Sequence, residues 1–127
     1  MRKILLIDEN KNMKKLLITI IEDIKEDDII ILEEDDIDKA VHVINNEIPD
    51  IVFIHGINNK LEDNKIYKLL NGHIKLKKIK VVLLTTKEDN YHNNFKKNTG
   101  IDLYLYKPFD PDFLLLKLCD MLNINYI

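Results

Sequence analysis

Lys3-Ile4-Leu5-Leu6-Ile7-Asp8-Glu9, two residues into the chain, is a short apolar run that ends on two carboxylates. Three later stretches repeat the form: Asp50 to Ile54 before His55, Val81 to Leu84 before Thr85, and Leu103 to Tyr106 before Lys107-Pro108. Strands of a parallel sheet are covered on both faces, so they read as near-continuous Val, Ile and Leu. Ligands of such sheets gather in the crevice beyond the carboxyl ends of the strands. The four endings therefore name a candidate pocket: Asp8, Glu9, His55, Thr85 and Lys107.

Between these runs the periodicity changes from strand to helix. Met13, Leu16, Leu17, Ile20, Ile21 and Ile24 recur at steps of three and four, one face of a helix. Ile29 to Leu32 supply one more strand. Ile37, Ala40, Val41 and Ile44 mark a second helix, with Pro49 closing the turn before the next strand. Ile66, Leu69 and Leu70 mark a third helix, for which Gly72 is the expected stop. The Asn-rich stretch from Thr85 to Gly100 offers only Tyr91 and Phe95 to a fourth. Asp110-Pro111 is an N-cap followed by a first-turn proline, and Phe113 to Leu122 forms the last helix. Five β-α units in series predict a doubly wound α/β fold with right-handed crossovers.

Composition bounds the rest. A chain of 127 residues, 46% hydrophobic and 32% charged, is sized for one globular domain over residues 1–127, and no output domain is expected. The net charge of −3 gives no overall positive field to draw nucleic acid or an anionic membrane. Lys75, Lys77, Lys78 and Lys80 read as a solvated turn. Cys119 is the one cysteine, so no internal disulfide can form, which suits a reducing cytoplasm. The apolar run after Met1-Arg2-Lys3 is too short for a secretion signal, and none reaches the roughly 18 residues of a membrane span.

The acidic pair after the first strand, an interval of 30 residues from His55 to Thr85 and one of 52 to Lys107 carry a resemblance. In order and register they resemble the receiver domain of two-component response regulators. The resemblance covers nearly the whole chain and implies a flavodoxin-like (βα)5 fold with a five-stranded parallel sheet. It also implies a role in signal transduction, not an enzyme of its own. Tyr104, three residues before Lys107, matches the family's aromatic switch position. In receivers an aspartate accepts a phosphoryl group, the acidic pair holds Mg²⁺, and the hydroxyl residue and lysine hold the phosphoryl oxygens. His55 stands at the acceptor position of this chain. The following stretch, Gly56-Ile57-Asn58-Asn59-Lys60-Leu61-Glu62-Asp63, also departs from the family's Met-Pro step and glycine.

An imidazole cannot form the acyl phosphate, and it removes a hard oxygen that Mg²⁺ prefers. No cofactor is therefore expected, with Mg²⁺ at Asp8 and Glu9 weak or lost. A protonated His55 would balance Asp8 and Glu9 together with Lys107, making it an internal cation that replaces the metal. The two carboxylates would then hold its pKa above the reference of about 6.5. The alternative is a transition-metal protein or enzyme with Asp8, Glu9 and His55 as ligands. The plainest reading leaves Asp8 and Glu9 as aids to capping the first helix. Asp50 is excluded as a substitute acceptor, because five strand residues place it about 16 Å from the pocket. A nucleotide-binding flavodoxin-like protein is disfavoured, since no glycine-rich loop follows the first strand.

On the last helix Leu114, Leu115, Leu118, Met121 and Leu122 share one side, whereas Phe113 and Leu116 lie opposite with Asp120. With Tyr104 and Tyr106 they form an expected contact face for a protein partner or a homodimer. The resulting expectation is an atypical receiver that signals by protein contact without phosphorylation of an aspartate.

Overall fold

A computed structural model describes residues 2–8, 10–24, 28–55, 68–70, 72, 76–85 and 102–124; at residues 55, 77 and 85 it describes the backbone alone. Five strands, β1 (Arg2–Ile7), β2 (Ile29–Glu34), β3 (Ile51–His55), β4 (Lys80–Thr85) and β5 (Leu103–Tyr106), form one parallel sheet in the order β2-β1-β3-β4-β5. The expected doubly wound, flavodoxin-like architecture is what the chain adopts. Three helices are delimited: α1 (Lys11–Glu22), α2 (Ile37–Glu47) and α3 (Pro111–Met121).

Alternation along the strands sorts the core into two layers. Ile4, Leu6, Ile51, Phe53, Val82, Leu84 and Leu105 face one cluster, which holds the buried residues of α1 and α3. Leu5, Ile7, Val52, Ile54, Val81 and Leu83 face the other, with Ala40 and Ile44 of α2 and with Leu70. Strands apolar on both sides can stand only in the middle of such a sandwich. Burying each large side chain contributes about 1.5–3 kcal/mol, so the central strands carry most of the drive to fold.

The helix ends are chemically explicit. The Asn10 side chain accepts the N–H groups of Asn12 and Met13 at 2.9 and 3.1 Å and caps α1. Asp36 and Asp110 cap α2 and α3 by accepting the N–H groups of Asp38 and Asp112. At the far end of α3, Asn123 adopts φ 56°; its N–H donates to Asp120 O, and that of Ile124 to Cys119 O at 2.8 Å. This 5→2 and 6→1 pair is the Schellman closure.

Two expectations are corrected. Leu16 does not join the core face of α1: it is 42% exposed, because Leu17, Ile20, Ile21 and Ile24 already fill the stripe against the sheet. Gly72 is not the left-handed stop expected of it: its backbone is helical, it has no positive φ, and a Cβ there would meet nothing within 4 Å. The expected fourth helix, with Tyr91 and Phe95, and Ile66 of the third lie outside the described residues. Among the described residues no helix is long and apolar enough to cross a membrane.

Candidate functional site

Register brings the strand endings together. Ile7 pairs with Ile54, His55 with Leu84, and Thr85 with Tyr106, so residues 8, 55, 85 and 107 follow one another along the carboxyl edge of β1, β3, β4 and β5. The backbone N–H of Asp8 donates to Glu34 O at 3.1 Å, which continues the β1–β2 ladder one step beyond the strand. The side chains of His55 and Thr85, and all of Glu9, lie outside the described residues.

Asp8 is 5% exposed, and its Oδ1 accepts the N–H of Asn10 at 2.9 Å. That bond fixes the carboxylate and the cap of α1 as one unit: Asn10 caps the helix, and Asp8 orients Asn10. Lys107 is half-buried on the first residue after β5, followed by a cis bond to Pro108. Burial pushes its ammonium below the ordinary lysine range, and the negative charge of Asp8 partly offsets this. Asp8 and Lys107 therefore feel each other electrostatically across the ends of β3 and β4. This coupling joins two of the residues that the strand endings singled out.

The same register reveals acids that the four endings leave out. Pairing of Ile7 with Glu34 brings Glu33, Glu34, Asp35 and Asp36 to the carboxyl edge beside Asp8. Their signal in sequence is the acidic run directly after an apolar strand, legible only once β2 is known to neighbour β1. The edge is thus richer in negative charge than a count of Asp8, Glu9, His55 and Lys107 allows. Among the described residues no three His, Cys, Asp or Glu side chains converge as a metal site. Of the proposed ligands, only Asp8 has a described side chain.

Asp50 lies at the opposite, amino edge, where its Oδ2 accepts the Lys3 N–H at 2.9 Å, in line with its exclusion as an acceptor. Tyr104 is half-buried against the layer of Leu83 and Leu70, and burial, then Tyr106, pushes its phenol above the ordinary range. Leu105 packs in the other layer, with α3. Phe113 and Leu116 are exposed at 43% and 52%, with Lys117 Nζ lying 5.6 Å from the Phe113 ring centroid. Tyr104 and the two α3 residues consequently sit on opposite sides of β5. As β5 ends the sheet, they can share a surface only around that edge. Cys119 is buried at 3% exposure, and burial raises its thiol.

No family model matches the sequence. The phosphate regulon transcriptional regulatory protein PhoB of Klebsiella pneumoniae is 25% identical over 92% of this chain, which spans half the length of that relative. A two-component response regulator from Clostridium difficile superposes with a TM-score of 0.75 at 25% identity, covering 97% of both chains. The receiver domain of a sensor histidine kinase from Pseudomonas aeruginosa PAO1, with a magnesium ion coordinated in its active-site cleft, superposes at 0.79 and 16% identity over 96% of this chain and 98% of its own. Strand order, helix placement and near-complete overlap agree: the chain has the receiver-domain fold of two-component response regulators.

Proposed function

We propose that this chain works in signal transduction as an atypical receiver, passing its signal by protein contact without phosphorylation of an aspartate. One observation carries the reading: residue 55 ends β3 between the ends of β1 and β4, and the residue there is histidine. A carboxylate at that point could take a phosphoryl group as an acyl phosphate; an imidazole offers no such oxygen. Magnesium, which the Pseudomonas domain coordinates, would here meet Asp8, Glu9 and an imidazole. Mg²⁺ demands hard oxygen ligands in near-octahedral geometry, so this donor set fits it poorly and binding is weak or lost. No step is assigned to a metal. In its place His55, protonated, offsets part of the negative charge at the carboxyl edge, while Thr85 and Lys107 remain as the shell of a pocket without its acceptor.

Output runs through the last-strand and last-helix side, where Phe113 and Leu116 are exposed and Tyr104 and Tyr106 half-buried. Two large apolar side chains one turn apart on a helix that already buries Leu114, Leu115 and Leu118 are surplus to the core. The partner is a protein, either a second copy or another chain.

Incubation with acetyl phosphate and Mg²⁺, followed by intact-mass measurement, tests the central claim. No phosphoryl adduct is expected, and a phosphoryl adduct at any residue of the pocket would overturn it. Light scattering of the protein with and without Phe113→Glu and Leu116→Glu tests the contact face. Loss of self-association in the variants assigns the face to a homodimer; identical monomers point to a different protein.

A further inference from the structure

Beside the carboxyl edge lies a cleft of about 380 Å³ between the amino-terminal half of α1 and the segment leading into α3, lined by Met13, Leu16, Lys107, Pro108 and Phe109. That volume is within the range of small-ligand sites, roughly 300–1,000 Å³. Among the described residues its lining is apolar except for Lys107, a cation. Leu16, which helical periodicity assigns to the core, is instead exposed in this wall. The adjoining α1 starts Lys11-Asn12-Met13-Lys14-Lys15 with no acid in its first turn and ends on Glu22. Cations at a helix amino terminus and an acid at its carboxyl terminus oppose the helix dipole. The lysines of α1 thus put positive charge on this side of the carboxyl edge, against the acids that follow β1 and β2.

We propose that this cleft binds a small ligand with an apolar body and a single carboxylate head, and that its occupancy is read by the degenerate pocket through Lys107. The body covers Met13, Leu16 and Phe109, and the head group lies toward the Lys107 ammonium. Lys107 belongs to both places: it lines the cleft, and its charge is coupled to buried Asp8, whose Oδ1 holds the cap of α1. An anion in the cleft offers that ammonium a second partner and so alters its hold on Asp8. The proposal rests on the phosphorylation-independent reading only in calling the ligand an input; the binding itself does not depend on residue 55.

The experiment is an amide NMR titration of the full chain, without Mg²⁺ or phosphodonor, using 4-phenylbutyrate and its neutral counterpart 4-phenylbutanol. The acid should give saturable shifts at Met13, Leu16, Lys107 and Phe109 that reach Asp8 and Asn10. The alcohol should bind roughly tenfold more weakly, the worth of one charge-assisted contact. Leu16→Glu should abolish the shifts, Leu16→Ala should weaken them, and His42→Ala on the far side of α2 should leave them unchanged. Equal affinity for acid and alcohol, shifts elsewhere, or full binding by Leu16→Glu would overturn the site. Shifts confined to the cleft, absent at Asp8 and Asn10, would overturn its link to the pocket. A phosphoryl adduct in the acetyl phosphate experiment would instead overturn the function proposed above and leave the cleft standing.

Discussion

The two edges of the sheet use the same side chain for opposite ends. At the amino edge, Asp50 N–H donates to Lys3 O at 2.8 Å while Asp50 Oδ2 accepts the Lys3 N–H at 2.9 Å. Asp102 repeats the arrangement with Val81, both bonds being 2.8 Å. Each carboxylate there completes a ladder with its own side chain. At the carboxyl edge Asp8 accepts the Asn10 N–H and acts electrostatically on Lys107, beside the acidic run after β2. One edge spends its aspartates on backbone groups; the other gathers charge. A sheet of this kind is closed by backbone bonds at one edge and left charged at the other.

If that contrast is right, removing an amino-edge carboxylate costs the most stability. Asp102→Ala should lose about 1–3 kcal/mol in urea unfolding, because the Val81 N–H loses a charged acceptor at a part-buried site. An unchanged midpoint would show that water replaces the carboxylate and that the amino edge is no more structural than the other.

The turn that delivers Asp50 can be improved. Ile48 stands at φ 46° and ψ 68°, a left-handed position closing α2, with its side chain 44% exposed. A β-branched residue is costly there and glycine is not, so Ile48→Gly should gain about 1 kcal/mol, read as a higher unfolding midpoint.

The carboxyl edge should announce itself through pH more than through the midpoint. Lys107 has a folded pKa below its unfolded value of about 10.4, so between the two the unfolded chain binds more protons and stability rises with pH across that window. Asp8→Asn removes the offsetting negative charge and should lower the Lys107 pKa further, measured on its Cε resonance. A rise would show that Asp8 and Lys107 are not coupled as described.

Smallest of all should be the stability change at the contact face. Phe113→Glu and Leu116→Glu each alter an exposed position and should shift unfolding by no more than about 0.5 kcal/mol, even where they abolish association. A loss of several kcal/mol would mean that these residues pack within the fold and are not surplus to it.

Much of this was legible from residue order. Runs such as Leu5-Leu6-Ile7 and Val81 to Leu84 declare strands covered on both faces, and the Asp110-Pro111 start and the two faces of α3 follow from capping chemistry and helical spacing. The errors were local. Leu16 obeys the three-and-four rhythm yet faces solvent, because periodicity gives a stripe and not its width. Gly72 resembles a stop, but glycine ends a helix only where the backbone turns left-handed, and here it does not.

What the amino-acid order determined by itself was therefore local: which segments are strands, which residue ends each, and that position 55 is an imidazole and not a carboxylate. Only the tertiary structure decided the neighbours. That Glu34 lies beside Asp8, that the charge of Asp8 acts on Lys107, and that Leu16 and Phe109 share a cleft all follow from strand order and register. Those are set by how two apolar layers close around the sheet, through contacts between residues far apart in the chain that no local pattern encodes.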